Sequence, residues 1–118
     1  EPYQLGQKLS ALRSEGVLVT SSGNIVHNLK VMDWDPLSTP YDWAEAFNNS
    51  IVQKIQNNEH ASIINYEKLE NSTLAIPHPD HFLPLLYALG ASEPSDTVDI
   101  RTHFIRYRSL GMTSLVFK

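Results

Sequence analysis

Two of the five histidines share a sequence context that could support metal binding or proton transfer. His27 follows Gly23-Asn24 and His81 follows Pro79-Asp80, and we predict each in the first turn of a helix that begins after a loop. A helix N-terminus disfavours a charged imidazolium and so helps to keep the ring neutral. Neutral imidazole is the form that binds a metal ion or acts as a base. On these residues alone, the alternative that both rings only pack and form hydrogen bonds stays open.

The other three histidines are weaker site candidates, and the sequence lacks the common catalytic motifs. We interpret His60 as a solvated or capping residue, His78 as a loop residue in solvent or behind a metal ligand, and His103 as structural. The chain has no cysteine, which excludes disulfide bonds and thiolate ligands. It also lacks the G-x-S-x-G, H-E-x-x-H, P-loop and G-x-G-x-x-G motifs. Because a catalytic metal site usually has three protein ligands, further ligands must come from elsewhere.

The stretch that must position His27 reads as a strand, a loop and a helical turn. Residues 17–20 (V-L-V-T) are typical of a short strand buried on both faces in a parallel sheet. Residues 21–24 (S-S-G-N) form the loop, and Asn24 is expected to cap a turn with His27 as its third residue. In open α/β sheets, ligands bind beyond the carboxyl ends of the strands, which makes His27 a site candidate.

A helix that follows an aspartate is expected to position His81. With Asp80 as the N-cap, this helix begins at His81 and ends at Gly90. Pro84 is then the fourth helical residue, where a missing N–H removes no intrahelical hydrogen bond.

The other helices follow from apolar spacing. Leucines at positions 5, 9 and 12 share one face of a helix that stops at Gly16. A long helix is predicted after its cap at Thr39, ending near residues 57–58, because apolar residues recur every four positions: Trp43, Phe47, Ile51 and Ile55. A shorter helix is predicted over residues 60–69.

The end of the chain is predicted to form a hairpin. Residues 97–107 and 112–117 are rich in β-branched and aromatic residues. Together the elements predict an α/β fold with a mainly parallel central sheet, several helices and a C-terminal antiparallel hairpin.

Length and composition are those of a small globular domain. The 118 residues suffice for one small domain, residues 1–118, and 42% hydrophobic with 19% charged residues suits a globular chain. The net charge of −4 and scattered basic residues argue against a nucleic-acid partner. No apolar run is long enough to span a membrane and no signal peptide is recognisable, so a cytoplasmic location is expected. The chain opens inside a helical pattern without a methionine, which suggests part of a longer protein.

Two blocks around the histidines resemble a known family. Residues 22–29 (S-G-N-I-V-H-N-L) and 77–86 (P-H-P-D-H-F-L-P-L-L) are similar to blocks of the class III extradiol ring-cleavage dioxygenases, the LigB superfamily, in its 4,5-DOPA dioxygenase-like branch. Residues 5–16, 43–48 and 111–115 match as well. The resemblance implies that this chain is the C-terminal part of a longer catalytic domain. The family's N-terminal half carries two more metal histidines, in H-G-S-P and S-A-H-W blocks that are not present here.

The resemblance also implies roles, cofactors and partners. His81 matches a metal ligand, and His27 matches a pocket residue described either as a ligand or as the catalytic acid/base. The wider superfamily has a carboxylate at the position of His81, which leaves open whether the metal is Fe(II), needed for catalysis, or bound Zn(II). The implied partners are a catechol, O₂ and the missing N-terminal half, without nucleic acid or membrane. Substrate-binding residues are unknown.

Two alternatives accompany this hypothesis. One is a non-enzymatic metal- or peptide-binding protein of the same fold, like the Memo-type relatives. The other is a structural domain in which both histidines only pack. The dioxygenase hypothesis predicts that the rings of His27 and His81 converge on one pocket. It also predicts that the chain is inactive alone.

Overall fold

The computed structural model describes all 118 residues, which form five α-helices followed by four short β-strands. The helices are α1 (Pro2–Ser14), α2 (Asp42–Gln56), α3 (His60–Ile64), α4 (Ser72–Ala75) and α5 (Leu83–Ala91). The strands are β1 (Val98–Thr102), β2 (Ile105–Arg106), β3 (Leu110–Gly111) and β4 (Ser114–Phe117). Short 3₁₀ turns lie at Leu29–Val31, Tyr66–Lys68 and Pro79–His81. None of the helices is both long and apolar enough to cross a membrane.

The core forms around the apolar face of α2. Phe47, Ile51 and Ile55 recur at helical spacing and are at most 2% exposed, so the predicted long helix and its buried face are confirmed. Phe82 and Leu86 lie in the same buried cluster. Burying an apolar side chain of this size contributes roughly 1.5–3 kcal/mol to folding. This core therefore holds α2 and the segment around α5 together.

Two glycines let α1 and α5 cross with their backbones in contact. A Cβ at Gly6 would lie 2.2 Å from the carbonyl oxygen of Tyr87. A Cβ at Gly90 would lie 2.1 Å from the carbonyl oxygen of Tyr3. The leucine spacing predicted the helix correctly, but the glycine face is the one that packs, and Leu5 remains 48% exposed.

An ion pair fixes the end of α1 to the segment after α5. The Arg13 guanidinium donates to both carboxylate oxygens of Asp96, at 2.6 and 2.9 Å, and to the carbonyl oxygen of Ala91 at 3.1 Å. The hydrogen bond from Arg13 holds the pKa of Asp96 below its ordinary value of 3.8. The Asp96 side chain is only 7% exposed, so this contact is shielded from solvent screening.

The strands form two antiparallel pairs. β1 pairs with β4 and β2 pairs with β3, with an irregular register between Ile100 and Thr102. The mixed α/β class and the C-terminal hairpin are confirmed, whereas the structure contains no parallel strand pair.

The prediction of a strand at residues 17–20 is wrong for this structure. These residues belong to no helix or strand, and Leu18 is 82% exposed. Local β-propensity favours extended backbone, but a strand also requires a partner for its N–H and C=O groups. All four strands of the chain pair with one another instead.

Several predicted helix boundaries shift. The long helix begins at Asp42 with Tyr41 at its N-cap, not after a cap at Thr39. The predicted helix over residues 60–69 breaks after α3 into a 3₁₀ turn.

Candidate active site

The rings of His27 and His81 lie stacked on each other, although the residues are far apart in sequence. Their centroids are 3.7 Å apart and their planes differ by 8°, so the structure brings the two predicted site residues together. Both side chains are partly buried. His81 Nδ1 is shielded from solvent and has no hydrogen-bond partner of good geometry. A carboxylate oxygen of Asp80 lies 3.2 Å from this nitrogen, but without the alignment of a hydrogen bond.

His27 is held in extended backbone, between the end of α4 and β3. It forms an antiparallel bridge with Leu110, and its N–H donates to the carbonyl oxygen of Ala75 at 2.9 Å. The N–H of Asn28 donates to the carbonyl oxygen of Ser109 at 3.2 Å. The Ser109 hydroxyl donates to the carbonyl oxygen of Asn28 at 2.7 Å. Bonds on both sides therefore fix the backbone that carries the His27 ring.

The prediction that Asn24 caps a helical turn containing His27 is wrong. The Asn24 side chain donates to the carbonyl oxygen of Gly111 at 2.8 Å, which ties the loop to β3. The 3₁₀ turn begins later and is capped by Asn28, whose side-chain oxygen accepts from the N–H of Lys30. Sequence alone cannot separate a cap from a long-range contact, because both use the same side-chain amide.

His81 ends the 3₁₀ turn that leads into α5, so it precedes this helix instead of beginning it. Its carbonyl oxygen accepts a hydrogen bond from the N–H of Asn24 at 2.7 Å. Gly23 permits this close approach, since a Cβ there would lie 2.1 Å from the same oxygen. Phe82 is 1% exposed and anchors the turn in the core. The loop before His27 and the turn carrying His81 are therefore joined directly.

Asp80 is a neighbour of the His81 ring, not the predicted helix cap. Its carboxylate oxygen Oδ2 lies 3.2 Å from His81 Nδ1, and no side chain caps α5. Burial tends to raise the pKa of Asp80, but the contact with the His81 ring and the hydrogen bonds from backbone N–H groups together outweigh burial, and the pKa is lowered. This contact was not predicted, because Asp80 was expected at the helix N-terminus.

The surroundings keep His27 neutral. Its pKa is lowered first by burial and then by the positive charge that His81 can carry, while Asp80 opposes both effects. A histidine with an ordinary pKa near 6.5 that is lowered further is an uncharged base at neutral pH. His27 is therefore able to accept a proton.

The stacked geometry limits how the pair can bind a metal ion. The lone pair of an imidazole nitrogen lies in the ring plane, and these two planes are nearly parallel. Their lone pairs therefore do not converge, and one metal ion can be ligated by only one of the rings in this arrangement. His81 fits that part better, because metal-binding histidines usually place the other ring nitrogen against a carboxylate, as Asp80 does here. No group of three or more His, Asp or Glu side chains that could hold a metal ion is present.

A groove of about 750 Å³ opens beside the site. His81 lines it together with residues 16–25, α5 and β4, whereas His27 is not among the lining residues. Residues 17–20, of which only Val19 is half-buried, also line it, so this segment and the candidate site share the groove.

The remaining histidines lie outside the site. His60 Nδ1 is 2.9 Å from the Tyr3 hydroxyl, and burial lowers the pKa of His60. His78 is exposed. His103 forms hydrogen bonds with Asn48 and Asn49 of α2.

The sequence of this chain matches a known protein family over its whole length. The family model described as "Catalytic LigB subunit of aromatic ring-opening dioxygenase" matches residues 1–118. The "4,5-DOPA dioxygenase extradiol" of Escherichia coli (strain K12) is 40% identical over 116 residues, which are 96% of this chain and 43% of that protein. The protein of the same name from Beta vulgaris is 35% identical over 100 residues, covering 83% of this chain and 37% of that protein.

A solved structure agrees with the fold. The crystal structure of an uncharacterized protein JW3007 from Escherichia coli K12 superposes with a TM-score of 0.89 at 39% identity. The match covers 97% of this chain and 48% of that one. The chain belongs to the LigB family of aromatic ring-opening dioxygenases, because the family model covers its whole length. It spans less than half of the length of these relatives.

Proposed function

We propose that this chain is the C-terminal part of a metal-dependent extradiol dioxygenase that opens the ring of DOPA-like catechols. Two of its curated relatives, from Escherichia coli and Beta vulgaris, carry the name 4,5-DOPA dioxygenase extradiol, and both are more than twice as long as the matched segment. The N-terminal half of the complete protein would supply the missing metal ligands. The observation that carries the proposal is the stack of His27 on His81 at 3.7 Å. The comparisons give the non-enzymatic alternative no support.

His81 is the residue with which this chain would hold the metal ion. Asp80 Oδ2, at 3.2 Å from Nδ1, would orient the ring and raise the basicity of the other nitrogen. Imidazole accepts both iron and zinc, so the ligand type leaves the metal open between Fe(II) for catalysis and Zn(II) as a bound ion. When bound, Fe(II) would supply the chemistry with O₂ and the binding of both catechol oxygens, which amino-acid side chains cannot provide.

His27 would serve as the acid/base. Its lowered pKa leaves the ring neutral and able to take a proton from a catechol hydroxyl. The parallel stacking supports this role over that of a second ligand, because a ligand would have to turn out of the stack. The backbone contacts of His27 with Leu110 and Ala75 would keep the ring in place while its charge changes.

The test is ring cleavage by the complete protein loaded with Fe(II), in the presence of O₂ and a catechol. We expect a yellow ring-opened product with the wild type. His27→Ala is expected to lower turnover by roughly 10²–10⁴-fold, the usual contribution of general acid–base catalysis. His60→Ala is the control, because His60 contacts Tyr3 and not the site. Absence of ring cleavage by the Fe(II)-loaded wild type with DOPA and simpler catechols would refute the proposed function.

A further inference from the structure

A second polar cluster lies on α2, away from the two stacked histidines. Asn48 is 2% exposed and uses both ends of its amide. Its Nδ2 donates to His103 Nδ1 at 3.3 Å, and its Oδ1 accepts from the Thr113 hydroxyl at 3.0 Å. His103 Nε2 donates to Asn49 Oδ1 at 2.6 Å on the exposed side. These contacts assign the proton of the neutral His103 ring to Nε2.

This cluster supports the strand that holds His27. A Cβ at Gly111 of β3 would lie 3.3 Å from Asn48 Oδ1 and 3.1 Å from the N–H nitrogen of Val26, so β3 is fitted between the two. The Gly111 N–H donates to the carbonyl oxygen of Val26 at 2.8 Å, and Leu110 bridges His27 directly. The path from Asn48 to the His27 backbone therefore consists of one packing contact and two backbone contacts.

We propose that Asn48 is a positioning residue for His27, acting through β3. The expected effect of Asn48 on turnover rests on the proposed function, whereas its effect on the position of β3 does not. Asn48 contributes no group to the reacting atoms. It fixes the distance between α2 and β3, and β3 fixes the register of His27 against the turn that carries His81.

The chemistry of the amide explains why a polar residue occupies this buried position. The buried Asn48 amide needs partners for its own polar atoms, and it finds them in the half-buried Thr113 hydroxyl, which its oxygen accepts from, and in the exposed His103 ring, to which its nitrogen donates. Removing it deletes both hydrogen bonds, leaves the Thr113 hydroxyl only its 3.4 Å contact with His103 Nδ1, and opens space under β3. Aspartate keeps the size and the acceptor for Thr113, and His103 can present an N–H at Nδ1 by changing its tautomer. Asn48→Asp is therefore the conservative variant.

The test compares Asn48→Ala, Asn48→Asp and Asn49→Ala in the complete Fe(II)-loaded protein. We expect Asn48→Ala to lower kcat about 10- to 100-fold, as a misplacement near 1 Å does, with KM within about twofold and iron content unchanged. Asn48→Asp should recover most of the kcat. Asn49→Ala is the matched control, because it removes a hydrogen bond to the same histidine from the exposed side and does not touch β3. Wild-type kcat in Asn48→Ala, or loss of kcat in Asn49→Ala as large as in Asn48→Ala, would overturn the proposal.

A second measurement does not depend on catalysis. Amide hydrogen exchange at Asn28 and Gly111 should accelerate at least about tenfold in Asn48→Ala and stay unchanged in Asn49→Ala, because these N–H groups donate to Ser109 and Val26 across the segments that Asn48 supports. Unchanged protection in Asn48→Ala would refute the positioning role even if the protein cleaves no catechol. Should Asn48→Ala fail to fold, Thr113→Val removes the hydroxyl that binds Asn48. Its kcat should fall at least about threefold, and wild-type exchange and kcat in this variant would refute the proposal equally.

Discussion

Gly23 is the position at which a single methyl group should disturb the site most directly. A Cβ there would lie 2.1 Å from the His81 carbonyl oxygen and 3.2 Å from Pro84 Cγ. A normal carbon–oxygen contact is roughly 3.3 Å, so Gly23→Ala must separate the loop from the turn by about 1 Å. The hydrogen bond from Asn24 to His81, now 2.7 Å, would be lost. We expect the His81 turn to move relative to His27.

The cost of this change can be estimated from its parts. Overpacking costs roughly 1–3 kcal/mol and the lost hydrogen bond roughly 0.5–1.5 kcal/mol. Alanine also lowers the conformational entropy of the unfolded chain relative to glycine, which stabilises the folded variant by roughly 0.4–1 kcal/mol. Gly23→Ala should therefore lower the free energy of unfolding by about 0.5–4 kcal/mol. A shift of about 1 Å at the reacting groups should lower turnover about 10²-fold.

The assay is denaturant unfolding of the complete protein, together with ring-cleavage turnover. Ser22→Ala is the matched control, because Ser22 is the exposed neighbour of Gly23 and its side chain has no hydrogen-bond partner in the structure. We expect Ser22→Ala to behave like the wild type. If Gly23→Ala is as stable and as active as Ser22→Ala, the loop is not held against the His81 turn and the site geometry described here is incorrect.

Three further predictions follow from other contacts. Asp96→Asn should lower stability by roughly 1.5–3 kcal/mol at pH 7. Arg13 lowers the pKa of Asp96 from 3.8, so this stabilisation is present above pH 3.8 and is lost as the pH falls through the pKa that Asp96 has in the folded protein. The urea midpoints of the wild type and Asp96→Asn should therefore converge in that pH range. A difference between the two midpoints that persists at lower pH would contradict the ion pair. Gly90→Ala should push α1 and α5 apart, because the added Cβ would lie 2.1 Å from the carbonyl oxygen of Tyr3. The melting temperature should fall by several degrees. An unchanged melting temperature would contradict the close crossing of the two helices. The 118-residue chain alone, given Fe(II), O₂ and a catechol, should form no ring-opened product, and product at enzyme-like rates would show that its two histidines suffice.

The sequence predicted those features that depend on side chains facing one core. The spacing of Phe47, Ile51 and Ile55 specified both α2 and its buried face, since a helix repeats every 3.6 residues. The hairpin also followed from β-branched residues around a turn. The pairing of His27 with His81 was expected because both histidines were predicted in the first turn of a helix that follows a loop, and because their blocks resemble one family.

The errors arose where long-range contacts decide the local structure. Residues 17–20 have strand propensity, but the chain offers them no pairing partner. Asn24 has the side chain of a helix cap, yet its amide binds Gly111 of β3. Asp80 could likewise have capped a helix, but its carboxylate lies against the His81 ring. Short polar side chains bond equally well to nearby and distant backbone, so sequence spacing alone could not assign their partners.

We propose different roles for the two stacked histidines, with His81 as the metal ligand and His27 as the acid/base. The most direct test is the iron content of the complete protein, measured after loading and desalting, for the wild type, His81→Ala and His27→Ala. We predict that His81→Ala loses most of the bound iron, whereas His27→Ala keeps most of it and loses turnover. Full iron loading in His81→Ala, or equal loss of iron in both variants, would contradict this assignment.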